Sequence, residues 1–199
     1  MRQRPVQDVS KLATSGFGAS SPTWWGTLGF MALEGTGFAL AIGAYLYLRQ
    51  INDQWPIGVS PPAYWGGTMM LILLLASLWP NAMADRAAKG KELGRVRLWL
   101  IIMSVIGFLA LAIRALEFQE LQIRWDENAY GSITWFVLGL HATHLITDLG
   151  ETLVLAALMF TRHVNAKRYS DVSDNAFYWY FVVATWVPLY ALLYGAPRL

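Results

Sequence analysis

The amino-acid sequence predicts an all-α membrane protein, a bundle of five transmembrane helices with its N-terminus in the cytoplasm and its C-terminus outside. Three observations point there. Apolar residues gather in runs of about twenty, the number that crosses roughly 30 Å of hydrocarbon at 1.5 Å per residue. The 199-residue chain is 56% hydrophobic and only 14% charged, with a mean hydropathy of +0.39. A soluble domain of this size needs a more charged surface. Lysine and arginine are also distributed unevenly between alternate connections, as topology signals are.

Residues 1–23 read as a flexible cytoplasmic tail, and 24–199 as the transmembrane domain. The first twenty residues hold no apolar core of the length a cleavable signal peptide requires. Helix one, at about 25–48, starts beside Trp24 and Trp25 as interfacial anchors and stops at Arg49. Asn52, Asp53, Pro56 and Gly58 make the next segment a short polar connection, and helix two follows at about 63–80. Residues 81–97 carry Arg86, Lys89, Lys91, Arg95 and Arg97, a basic loop before helix three at about 98–118. A polar link leads to helix four at 130–160, which measures about 45 Å if straight and should tilt or protrude. Polar residues 161–175 then precede helix five at about 176–196, rich in Trp and Tyr. The sequence contains no internal repeat and no second domain.

Basic residues number three in the tail, five in the second loop and three in the fourth, against one each at Arg49, Arg124 and Arg198. Eleven on one face and three on the other fix the expected orientation, since positive loops stay inside. The net charge of +2 is too small and too scattered for a nucleic-acid surface. With no cysteine in the chain, disulfides, iron–sulfur clusters, thiolate metal sites and cysteine nucleophiles are excluded. Trp24, Trp25, Trp55, Trp65, Trp79, Trp99, Trp125 and Trp135 cluster at the expected interfaces, as aromatic belts do.

Ionisable residues inside the spans are the informative exceptions, because each costs a few kcal/mol in hydrocarbon unless it finds a partner, a proton or a cavity. Glu34 lies close to the middle of helix one. It reads either as a proton-relay or regulatory carboxyl or as a structural hydrogen bond that fixes packing. Arg114 and Glu117, three residues apart near the outer end of helix three, form a local ion pair or reach a lipid headgroup. In helix four His141, His144, Asp148 and Glu151 fall within about 80° of one another at 100° per residue, so the four can face one neighbouring helix.

Imidazole and carboxylate at this spacing also build metal sites in helix bundles. A di-iron site needs paired Glu-x-x-His elements on separate helices, however, and the third histidine, His163, falls in a basic loop. No metal site is therefore expected. The stripe reads as an interhelical polar network, with Glu34 as the partner of His141 or His144.

Tyr130-Gly131-Ser132 followed by Gly139-Leu140-His141-Ala142-Thr143-His144 resembles the signature of cytochrome c oxidase subunit III, the haem-copper oxidase subunit 3 family. Embedded Glu34, the Trp55-Pro56 loop, the Arg114 to Glu117 ending of helix three and the closing Tyr178-Trp179-Tyr180-Phe181 with Trp186 are similar in the same order. The resemblance covers residues 24 to 195 and implies a short, five-helix form of that fold. Two departures stand out: Asp148, where the family commonly has glycine, and Val183, where it has aspartate. Longer members have seven helices, of which this chain resembles the last five, so it is not expected to form the lipid-holding cleft of those members by itself.

The resemblance implies a non-catalytic subunit that binds no redox cofactor itself, with haem and copper in partner subunits. It implies packing on oxidase subunit I, contact with subunit II and other chains, phospholipid binding and support of proton uptake in a prokaryotic cell membrane. Three histidines and no cysteine independently fall short of ligating two haems and copper. An accessory subunit of a nitric oxide reductase is the alternative within the fold. A small metal-binding membrane enzyme using His141, His144, Asp148 and Glu151 is the alternative outside it.

Overall fold

The computed structural model describes residues 16–162 and 164–198. Most of the expected tail, residues 1–15, and His163 lie outside the described residues. The five long helices are α1 (Pro22–Ile51), α2 (Tyr64–Lys89), α3 (Leu93–Glu120), α4 (Ala129–Met159) and α5 (Ala166–Tyr190). The last continues through a π turn, Ala191–Gly195, and a 3-10 turn, Ala196–Arg198. All five are long and apolar enough to cross a membrane.

Local chemistry explains most boundaries. Pro22 opens α1 at a position where its missing N–H costs nothing. Asn128 caps α4, its side chain accepting from Gly131 N at 3.0 Å. At 31 residues, α4 extends about 46 Å and exceeds the hydrocarbon core, as expected.

Two boundaries differ from the sequence expectation. Helix two does not end at Pro80 but runs nine residues further, to Lys89, leaving only 90–92 between α2 and α3 in place of a long basic loop. A proline inside a membrane helix is tolerated where packing re-satisfies its surroundings. Here Pro80 and Asn81 are buried, and Asn81 Nδ2 donates to Ala176 O of α5 at 2.8 Å. Helix five begins at Ala166 rather than near 176, because Asn165 caps it by accepting from Arg168 N at 3.1 Å. Its first turns carry Ser170, Ser173, Asp174 and Asn175, polar in sequence yet buried in the bundle.

Helices α2 to α5 form a four-helix bundle in which each packs on the next and α5 closes back on α2. Helix α1 lies outside this ring, against α4 and α5, and buries only Phe38, Ala41 and Tyr45. The core centres on Met70, Leu74, Leu138, Leu145, Trp179 and Trp186. A smaller cluster with Ala88, Leu100, Leu155 and Met159 closes the end near the α2–α3 and α4–α5 turns. At the opposite end Trp55, expected in the interfacial belt, turns inward. Its Nε1 donates to Tyr45 OH at 3.0 Å and its ring meets Tyr130 edge-on.

Candidate functional site

The ionisable residues of the spans gather in two places. Arg114 and Glu117, one helical turn apart on α3, are paired at 2.7 Å (Nη1 to Oε2), each side chain only 2% exposed. This contact is an ion pair by distance rather than by hydrogen-bond angle. Of the two readings offered for this pair, its geometry in the bundle accords with the local ion pair. The guanidinium also lies 4.1 Å from the centre of the Trp186 ring, a cation–π contact strengthened by the dry surroundings.

Arg114 fixes the state of His141. Its Nη2 lies 3.1 Å from His141 Nδ1, and since arginine has only donors, Nδ1 accepts. The proton of that imidazole therefore sits on Nε2, which donates to Val182 O at 3.1 Å. Tyr194 completes the cluster, its hydroxyl donating to Glu117 Oε1 at 2.6 Å. The π turn, with its extra residue per turn, presents Tyr194 to the bundle. Two glycines of α2 make the approach possible. A Cβ on Gly66 would stand 2.8 Å from Glu117 Cγ, and one on Gly67 2.3 Å from the Tyr194 ring.

The second group lies between α1, α4 and α5. Tyr178 OH donates to Glu34 Oε2 at 2.7 Å, and Glu34 Oε1 lies 3.2 Å from His144 Nε2. His144 Nδ1 is 2.6 Å from Leu140 O, and a carbonyl only accepts, so Nδ1 carries a proton. Like the Arg114–Glu117 pair, the contact of Nε2 with Glu34 is one of distance rather than of hydrogen-bond angle. Phe38 covers the imidazole at 4.7 Å between ring centres.

Beyond it, Asp148 is buried, one turn before Thr152, whose oxygen accepts from Asn175 Nδ2 at 3.0 Å. Glu151, the last of the stripe, is exposed in this chain. A cavity of about 340 Å³ opens among these groups, walled by Phe30, Glu34, His144, Asp148, Glu151 and Tyr178.

The stripe does not face a single neighbour. His141 bonds to α3 and α5, His144 meets α1, Asp148 lines a cavity together with Asp174 and Tyr178 of α5, and Glu151 stands at the rim. An arc of about 80° on one helix is wide enough to touch three partners when each packs at its own angle. Of the two partners expected for Glu34, the structure gives His144. Sequence reasoning missed Tyr178, Tyr194, Asp174 and Asn175. The first two fall in the expected final span, where nothing in the sequence marks them as partners of buried carboxylates, and the last two fall in the expected polar loop, for which the Asn165 cap signal was the available clue. Among the described residues there is no group of three or more His, Asp or Glu able to hold a metal, and His141 and His144 point to different helices.

Comparison with known proteins gives a coherent picture. Residues 54–196 match the family "Cytochrome c oxidase subunit III". A cytochrome c oxidase subunit 3 of Thermostichus vulcanus is 27% identical over 176 residues, 87% of each chain. One of Synechocystis sp. is 24% identical over 85% of this chain and 74% of its own length. A probable cytochrome c oxidase subunit 3 of Mycobacterium bovis is 22% identical over 85% of both.

Proposed function

Because the chain belongs to the cytochrome c oxidase subunit III family, we propose that it serves as the non-catalytic subunit III of a proton-pumping haem-copper cytochrome c oxidase in a prokaryotic membrane. The observation that carries this is the match over 54–196, joined by relatives of nearly the same length that are named as oxidase subunits. Those names do not favour the nitric oxide reductase alternative. Composition agrees, since three histidines and no cysteine cannot ligate two haems and a copper centre, and electron transfer belongs to partner chains.

In this reading subunit I is the main partner, with subunit II and other chains completing the complex. The peripheral position of α1 supports a lateral contact. Leu33 and Leu40 on it are 71% and 70% exposed, an apolar face suited to a neighbouring subunit or to phospholipid. The basic residues about the α2–α3 and α4–α5 turns support a cytoplasmic position for those ends and for the N-terminus. Glu34, His144 and Asp148 then support proton uptake, while Arg114, Glu117 and His141 lock the bundle.

Purification through a tag on this chain, in a mild detergent, tests the proposal. A haem absorbance spectrum and a large histidine-rich membrane partner are expected to co-purify. A preparation holding neither overturns it.

A further inference from the structure

The cavity beside Glu34 adjoins a second. That second cavity, of about 360 Å³, lies toward the α4–α5 turn and is bounded by Thr23, Leu158, Arg168 and Asp171. Thr27, Glu151 and Asp174 line both, so the two adjoin across these side chains and together make a groove along α4 from the end of the bundle to the Glu34–His144 pair. The inner part alone has room for about ten waters at roughly 30 Å³ each.

Asp148 stands in the inner wall. It is 2% exposed, and its Oδ1 has no hydrogen-bond partner. The groups around it are Glu34 from α1, Asp174 and Tyr178 from α5, and His144, Glu151 and Thr152 from its own helix. Arg168, the basic residue of the groove, is already bonded to Asp171 at 3.0 Å near the mouth. A buried carboxyl oxygen that lacks both a cation and a donor is costly unless it is neutralised. A metal fits poorly, since no group of three ligating side chains converges among the described residues. A proton needs only one oxygen and a water to bring it.

We infer that this groove is a proton-entry path from the α4–α5 end, in which Asp174 and Glu151 collect protons and Asp148 stores one beside Glu34 and His144. The step is proton transfer alone: a hydronium in the groove gives its proton to Asp148 Oδ1, leaving water and a neutral carboxyl, and release is the reverse. The inference deepens the proposed support of proton uptake. Its test, however, reads the Asp148 carboxyl directly and needs no turnover.

Infrared difference spectra of the intact complex, on transfer to D2O, report protonated carboxyls through their carbonyl stretch and its isotope shift. One such band is expected to vanish in Asp148→Asn and to survive in Glu151→Gln. Gly150 and Gly26 line the outer and inner parts of the groove, and an added Cβ meets nothing within 4 Å at either. Gly150→Phe and Gly26→Leu therefore fill the path while leaving Asp148 in place. In these variants the isotope shift of the band is expected to slow by about tenfold or more, because exchange then waits on local opening. A spectrum unchanged in Asp148→Asn overturns the inference, as does exchange at the parental rate in both filled variants. A preparation without haem defeats the proposed function but leaves this readout intact.

Discussion

Removing the carboxylate of Glu117 while keeping its size, as in Glu117→Gln, leaves the Arg114 guanidinium 2% exposed with no counter-charge. Breaking a buried pair from one side costs about 3–5 kcal/mol. Arg114→Met falls in the same range, and it also takes the donor from His141 Nδ1, held at 3.1 Å. The double variant behaves differently. It buries neither charge, keeps an amide oxygen for the Tyr194 hydroxyl and loses mainly the His141 bond, a cost of about 1–3 kcal/mol. The two single losses together should therefore exceed the double loss by at least about 3 kcal/mol. That is the size expected for unit charges roughly 4 Å apart at an effective permittivity of about 20. Reversible unfolding of the purified protein in mixed micelles, followed against the mole fraction of denaturing detergent, measures all four corners of the cycle. Additivity within about 0.5 kcal/mol would refute the idea that Arg114 and Glu117 stabilise the bundle as a pair.

Other expectations follow from single contacts. Glu34→Ala removes the acceptor of Tyr178 OH and should cost about 1–3 kcal/mol, whereas Glu34→Gln keeps an acceptor and should cost less; equal losses in the same assay would point away from a structural hydrogen bond. Gly131→Ala places a Cβ 2.2 Å from the Arg124 carbonyl oxygen, so the α3–α4 connection must shift, lowering stability by about 1–3 kcal/mol; an unchanged unfolding midpoint would show that this segment yields freely. Reporter fusions should place the N-terminus and the 90–92 turn in the cytoplasm and the C-terminus outside, and an N-terminus on the outer face would reverse the direction of the proposed proton path.

The need for partners was readable in the sequence, but their identity was not. A carboxyl near the middle of a span must be sheltered whatever the fold, so Glu34 stood out at once. Whether it would meet His141 or His144 depends on how far α1 is rotated against α4, which no property of α1 by itself specifies. The same holds for Arg114 and Glu117. Their spacing of three residues announces an ion pair, whereas the closure of Tyr194 over Glu117 requires Gly66 and Gly67 on α2 and a π turn more than a hundred residues later.

Boundaries failed where a local rule met a tertiary exception. Pro80 reads as a helix end because it lacks a donor and crowds the preceding turn, yet packing against α5 carries the helix through it. Ser170, Ser173, Asp174 and Asn175 read as loop because their polarity matches water, but in the bundle Ser173 and Asn175 meet polar side chains of α2 and α4, Asp85 and Thr152, Ser170 donates to Gly16 O, and Asp174 lines the cavities beside α4.

The number of spans, their approximate places and the residues that cannot face lipid follow from the sequence, because transfer into hydrocarbon is a nearly additive property of each segment. The pairing of His144 with Glu34, the proton position on His141 and the groove that reaches Asp148 arise only when five helices settle at particular rotations. Those rotations are set by contacts between residues far apart in the chain, each of them worth little until the others are in place.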